Sequence, residues 1–153
     1  MPRSLAALPM LLALALWSCG SKARVGDPSG SRPNTGSTTA NSVSTDQEFE
    51  LSAGQSALVG SEPLKVTFLS VAGDSRCPTD VQCVWEGDAV VRVSLSISRQ
   101  EPTTYELHTN NGFATQATHG AYRVRLAAVA PAPRSGATIE PSAYVITLIV
   151  TKP

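Results

Sequence analysis

The chain has 153 residues, and its twelve basic and twelve acidic side chains leave a formal net charge of zero. From Asp46 onward eight basic residues stand against eleven acidic ones. No basic patch therefore calls for nucleic acid or for an anionic membrane surface.

The first residues carry one positive charge in MPRS, then the apolar run LAALPMLLALALW, then SCG. A run of about 13 residues is too short for a spanning helix, which needs about 20, and it suits the apolar region of a secretory signal peptide over 1–18. Leu16-Trp17-Ser18-Cys19 resembles the lipobox of bacterial lipoproteins, with a branched apolar residue at −3 and a small residue at −1. Trp17 stands at −2, where a small residue is usual. The resemblance implies that Cys19 is lipidated with a thioether diacylglycerol and often a further acyl chain, palmitate being of this kind, and becomes the mature N-terminus. Two or three chains anchor stably where one does not. Gly20 follows the cysteine rather than the aspartate linked to inner-membrane retention. The family rule then implies an exported, membrane-anchored protein, at the outer membrane or cell surface if the host is Gram-negative.

Residues 20–45 are mostly Ser, Thr, Gly, Pro and Asn with almost no large apolar side chain. Such a segment cannot bury enough surface to offset chain entropy, so 19–45 reads as the lipidated cysteine and a disordered tether. Residues 46–153 read as one domain of ordinary size.

Within that domain apolar and polar residues alternate with the period of a β-strand. In Ala89–Ser98, Val91, Val93, Leu95 and Ile97 share one face. In Tyr122–Val129, Tyr122, Val124, Leu126 and Ala128 share one face, with Arg123 and Arg125 outward. Tyr144–Val150 is apolar on both faces, as a central or doubly covered strand would be. Leu64–Val71 changes phase near Phe68, which predicts a bulge. Weaker strands fall at Glu48–Ser52, Ser56–Val59, Thr103–His108 and Phe113–Thr118, and Asn110-Asn111-Gly112 marks a turn. The pattern predicts an all-β fold: an antiparallel β-sandwich of about seven or eight strands, immunoglobulin-like or jelly-roll.

The densest stretch is Asp74–Ala89, DSRCPTDVQCVWEGDA. With Cys19 lipidated, Cys77 and Cys83 remain as a pair, and an exported location favours their disulfide. Four residues between the cysteines do not fit a CxxC redox motif, and the surrounding acids disfavour a thiolate. Zinc would need about four N or S ligands, while His108 and His119 lie in unrelated segments. Asp74, Asp80, Glu86 and Asp88 are weak calcium candidates, although their order fits no standard loop and Arg76 competes as a counter-ion. Counting back by twos from Val91 points Trp85 into the core beside the disulfide, unless Gly87 marks a bulge that flips the phase. Glu86, Asp88 and Arg92 would then share the outer face. No nucleophile with a histidine partner, elbow motif or phosphate loop is present, so the chain reads as non-enzymatic and without a cofactor.

SRCPTDVQCVWEGDAVV, preceded by LKVTFLSVAGD, resembles a family of bacterial exported proteins with the pattern SRCP-x₄-C-x-W-x-G-x-A. Arg76, Cys77, Pro78, Cys83, Trp85, Gly87 and Ala89 carry the likeness, over about Leu64–Val93. The family implies fold and export and brings no established activity. The resulting expectation is a lipid-anchored binding or envelope-associated module. Arg76, Asp80, Trp85, Glu86 and Asp88 would form its binding surface toward an envelope or extracellular protein partner. Two alternatives are an inhibitor of exported proteases that inserts Pro78–Val81 of the stapled loop, and a calcium-dependent adhesion module.

Overall fold

The computed structural model describes residues 41–61, 64–98 and 100–152. The signal segment, Cys19 and residues 20–40 of the expected tether lie outside the described residues.

Nine strands form two sheets: β1 (Asn41–Val43), β2 (Glu48–Ser52), β3 (Ser56–Val59), β4 (Leu64–Asp74), β5 (Ala89–Ile97), β6 (Thr103–His108), β7 (Gln116–His119), β8 (Tyr122–Ala130) and β9 (Val145–Thr151). One sheet has the order β1-β3-β4-β5-β6 and the other β2-β9-β8-β7. All pairings are antiparallel except β1 with β3. The expected β-sandwich is what the chain forms. The ninth strand, β1, falls at 41–43, inside the stretch that composition assigned to the tether. Three residues suffice there because a neighbouring strand edge supplies the hydrogen bonds that local composition does not predict.

The core is the seam between the two inner faces. Val91, Val93 and Leu95 of β5 meet Tyr122, Val124 and Leu126 of β8 and Ile146, Leu148 and Val150 of β9, with Phe68 of β4 among the largest fully buried side chains. No polar or charged residue is buried among the described residues, so burial of apolar area, at about 25 cal/mol per Å², is the main stabilising term. The alternation that predicted β5 and β9 holds, and β9 is central in its sheet, between β2 and β8. Its outer residues Val145 and Ile149 are half-exposed, so it is not covered twice.

Two registers shift. In β4 the pairing with β5 slips between Phe68 and Ser70, where the phase change predicted a bulge, and again between Val71 and Gly73. In β8 it slips between Leu126 and Ala128. That bulge turns Ala128 outward and Val129 inward, correcting the expectation that Ala128 faces the core. Strict parity fails there because an extra residue inverts the side-chain phase downstream. The expected strand at Phe113–Thr118 is confined to Gln116–His119, and Phe113 belongs to the preceding turn. Among the described residues no helix is long and apolar enough to cross a membrane.

Candidate functional site: the stapled loop end

Strand direction gathers three connections at one end of the sandwich. β4 finishes at Asp74 opposite Ala89, the first residue of β5. β6 finishes at His108 opposite Val90, and β8 leads into residues 131–144. The segments 75–88, 109–115 and 131–144 therefore emerge together and are tied by side chains.

The stem of the 75–88 loop continues the hairpin loosely. Ser75 N–H donates to Asp88 O at 2.7 Å, and Cys77 N–H to Glu86 O at 3.4 Å. Gly87 makes this approach possible. Its φ is +71°, and a Cβ there would lie 1.9 Å from Ser75 O. Cys77 and Cys83 are disulfide-bonded, with Cα atoms 5.9 Å apart. The chain-entropy model gives about 2 kcal/mol for closing so short a ring. A Cys77→Ser, Cys83→Ser double variant is therefore expected to lose about 2 kcal/mol in urea unfolding. Reduction of the native protein should reproduce that loss.

Asp74, Arg76, Asp80 and Asp88 of the motif tie the loop down at separate points. Arg76 forks onto Asp74, with Nε–Oδ1 2.9 Å and Nη2–Oδ2 2.6 Å. Its Nη1 donates to Val129 O at 2.5 Å and its Nη2 also to Pro131 O at 2.9 Å. Tyr144 Oη donates to Asp74 Oδ2 at 3.1 Å. Burial pushes the Asp74 carboxyl up, but the Arg76 hydrogen bonds and charge outweigh it and hold the pKa below its ordinary 3.8. Its own burial, the hydrogen bond to Asp74 and the Asp74 charge push the Tyr144 phenol up. Asp80 accepts from Ser135 N–H at 2.9 Å and from the Ser135 hydroxyl, and these bonds lower its pKa. Thr79 N–H donates to Pro133 O at 3.0 Å.

Asp88 is a hub for the third segment. It accepts from His108 Nδ1 at 2.6 Å and from the backbone N–H of Thr109 and of Asn110, each at 3.0 Å. Burial raises its pKa, and the hydrogen bonds from His108, Asn110 and Thr109 more than reverse this. Asn110 Nδ2 closes the ring by donating to Gly87 O at 3.1 Å. The predicted turn forms, with Gly112 N–H donating to Asn110 Oδ1 at 2.8 Å.

These lowered carboxyl pKa values set a pH dependence. Stability from Asp74, Asp80 and Asp88 is present above their ordinary 3.8 and is lost as pH falls through that value toward the lower folded ones. Urea midpoints are expected to hold from neutral pH to about pH 5 and to fall steeply toward about pH 3. Asp88→Asn should flatten part of that fall.

Several expectations are corrected. Trp85 does not face the core: it is 80% exposed and Val84 is 91% exposed. The positive φ of Gly87 ends the strand geometry, so β5 begins at Ala89 and parity cannot be counted back through it. Arg76, Asp80 and Asp88, expected to be binding residues, also anchor the loop through their hydrogen bonds. Arg92 does not share a face with Glu86 and Asp88 in a working pair. Its Nε bonds Glu106 Oε1 at 2.9 Å across β5 and β6, an exposed contact that contributes about 0–1 kcal/mol. The four calcium candidates do not gather, since among the described residues no group of three or more His, Cys, Asp or Glu could hold a metal ion. His119 Nδ1 instead lies 3.1 Å from Tyr105 Oη.

Beside its exposed polar residues, this end offers large apolar side chains to solvent. Four of the five exposed large hydrophobics among the described residues lie here: Val81, Val84, Trp85 and Phe113, the last stacked on His108 with ring centroids 5.0 Å apart. Sequence reasoning missed Val84, Phe113 and the receiving segment Pro131–Ser135, and named Val81 only as the end of the Pro78–Val81 insert. The available signal was an apolar pair, Val84-Trp85, inside an otherwise polar loop.

Fold and site together define a class: a small β-sandwich with a disulfide-stapled, apolar-tipped loop end. No family model matches the chain, and no curated protein or solved structure matches it either.

Proposed function

We propose that this chain is a lipid-anchored protein of the cell envelope whose sandwich serves as a non-enzymatic binding module, with the stapled loop end as its contact surface. The observation that carries this reading is the contrast between a backbone held at Arg76, the disulfide, Asp80 and Asp88, and a tip left apolar and exposed at Val84 and Trp85. A loop ordered before contact loses less entropy on binding, and an aromatic at its centre is the usual energetic anchor. Glu86 is exposed next to Trp85 and joins this surface.

The protease-inhibitor reading has less support. Thr79 N–H and Val81 N–H are occupied by Pro133 O and Pro78 O, so two of the three backbone donors of Pro78–Val81 are already engaged rather than open to a protease cleft. Calcium-dependent adhesion has less support because three of its four carboxylates are committed to the fold.

The test is a photo-crosslinking residue at position 84 in the full chain on intact cells, with mass spectrometry of Cys19 for its lipid. A discrete adduct on a lipidated chain is expected, and no adduct above that of a crosslinker on β9 would overturn the reading. Trp85→Ala should abolish binding while changing stability by no more than about 0.5 kcal/mol, as for any exposed side chain outside the hydrogen-bond network. A large fall in its melting temperature would reassign Trp85 to the fold.

A further inference from the structure

The direction of β1 shows from which side of the sandwich the chain enters the domain. β1 runs parallel to β3, with Asn41 opposite Ala57 and Val43 opposite Val59. β3 runs against β4, placing Val59 opposite Leu64, at the end of β4 remote from Asp74. The chain therefore enters β1 from the side of the stapled loop. Along β5, the level of Val66 is Leu95 and the level of Asp74 is Ala89, so Asn41 lies about 20 Å along the strands from the loop end at about 3.3 Å per residue.

We infer that the Val81–Val84–Trp85 tip docks on the bilayer that carries the chain's own lipid anchor. The inference rests on the lipidation of Cys19 proposed above. Between Cys19 and Asn41 lie 21 residues of Gly, Ser, Thr and Pro-rich sequence. A coil of that length spans about 26 Å on average, close to the distance from Asn41 past the loop end. A tether matched to its span gives the highest effective concentration, on the order of millimolar. Under that condition a small apolar tip suffices, whereas a free protein interface needs about 800 Å² on each side. Tryptophan is the residue favoured at the membrane–water interface.

The charge around the tip selects the lipid. Asp80 and Glu86 are exposed beside it and Arg134 is the exposed cation on the neighbouring segment, so contact should be with zwitterionic headgroups and weaken as anionic lipid is added.

Trp17 and Trp85 are the chain's two tryptophans. Trp17 precedes Cys19, so in the lipidated mature chain all tryptophan emission reports Trp85. The experiment reconstitutes that lipidated chain in phosphatidylcholine vesicles, with and without brominated phosphatidylcholine. Blue-shifted emission, loss of most of the signal to bromolipid and protection from acrylamide are expected. Val84→Asp should restore acrylamide access with an unchanged melting temperature. A lipidated chain whose Trp85 stays open to acrylamide and unquenched by bromolipid overturns the bilayer contact alone. Absence of lipid on Cys19 overturns the anchoring as well. Adducts from position 84 on protein with none on lipid would assign the tip to a protein partner and overturn the inference.

Discussion

Gly87→Ala is expected to lower the melting temperature by roughly 8–20 °C, corresponding to about 2–5 kcal/mol in a domain of this size. Two costs add. Left-handed backbone at φ +71° costs a side-chain-bearing residue about 1–2 kcal/mol. The new Cβ would also sit 1.9 Å from Ser75 O and 2.9 Å from Arg76 Cα, all backbone atoms that cannot rotate away. Forcing them apart costs about 1–3 kcal/mol and strains the Asn110 Nδ2 bond to Gly87 O. Circular dichroism melts check this. A shift within error would mean that the stem does not close as described.

Arg76→Ala should cost about 1.5–3 kcal/mol, because it removes charge-assisted hydrogen bonds from a part-buried ion pair and leaves the Asp74 charge uncompensated. The Arg76 and Asp74 side chains are only 15% and 10% exposed. Val129 O and Pro131 O also lose their donors. Arg76→Lys should recover little, since an ammonium cannot present the planar fork that grips both carboxylate oxygens while reaching two carbonyls. Adding Asp74→Asn to Arg76→Ala should recover part of the loss by removing the orphaned charge. Urea midpoints with an unchanged slope are the readout. Full rescue by lysine would show that the site needs only a positive charge.

Both predictions fall on residues of the motif stretch 74–89, whose density in the sequence was legible and whose division of labour was not. The disulfide was readable from cysteine count. The strands were readable wherever period-2 alternation ran unbroken, as in Val91-Val93-Leu95 and Ile146-Leu148-Val150. Trp85 was misplaced because the count passed through Gly87, where the pleat ends. Ala128 was misplaced for the related reason that one extra residue in β8 inverted the phase. In the sequence Asp80, Asp88 and Arg76 read as a contact surface, because exposed charges in a loop and loop anchors look alike without their partners. Those partners, Ser135, His108 and Val129, lie 55, 20 and 53 residues away.

The sequence by itself determined the strand faces wherever alternation runs unbroken, the pairing of the two domain cysteines and the all-β class, because each depends on local periodicity or on a count. Only the tertiary structure decided which loop residues hold and which project. The sign of φ at Gly87 is set by the approach of Ser75 from the opposite side of the stem. The roles of Arg76, Asp80 and Asp88 are set by carbonyls, hydroxyls and amides that strand order brings to the same end. Once those groups are satisfied, Val84 and Trp85 are left outside, uncovered by any of the described residues.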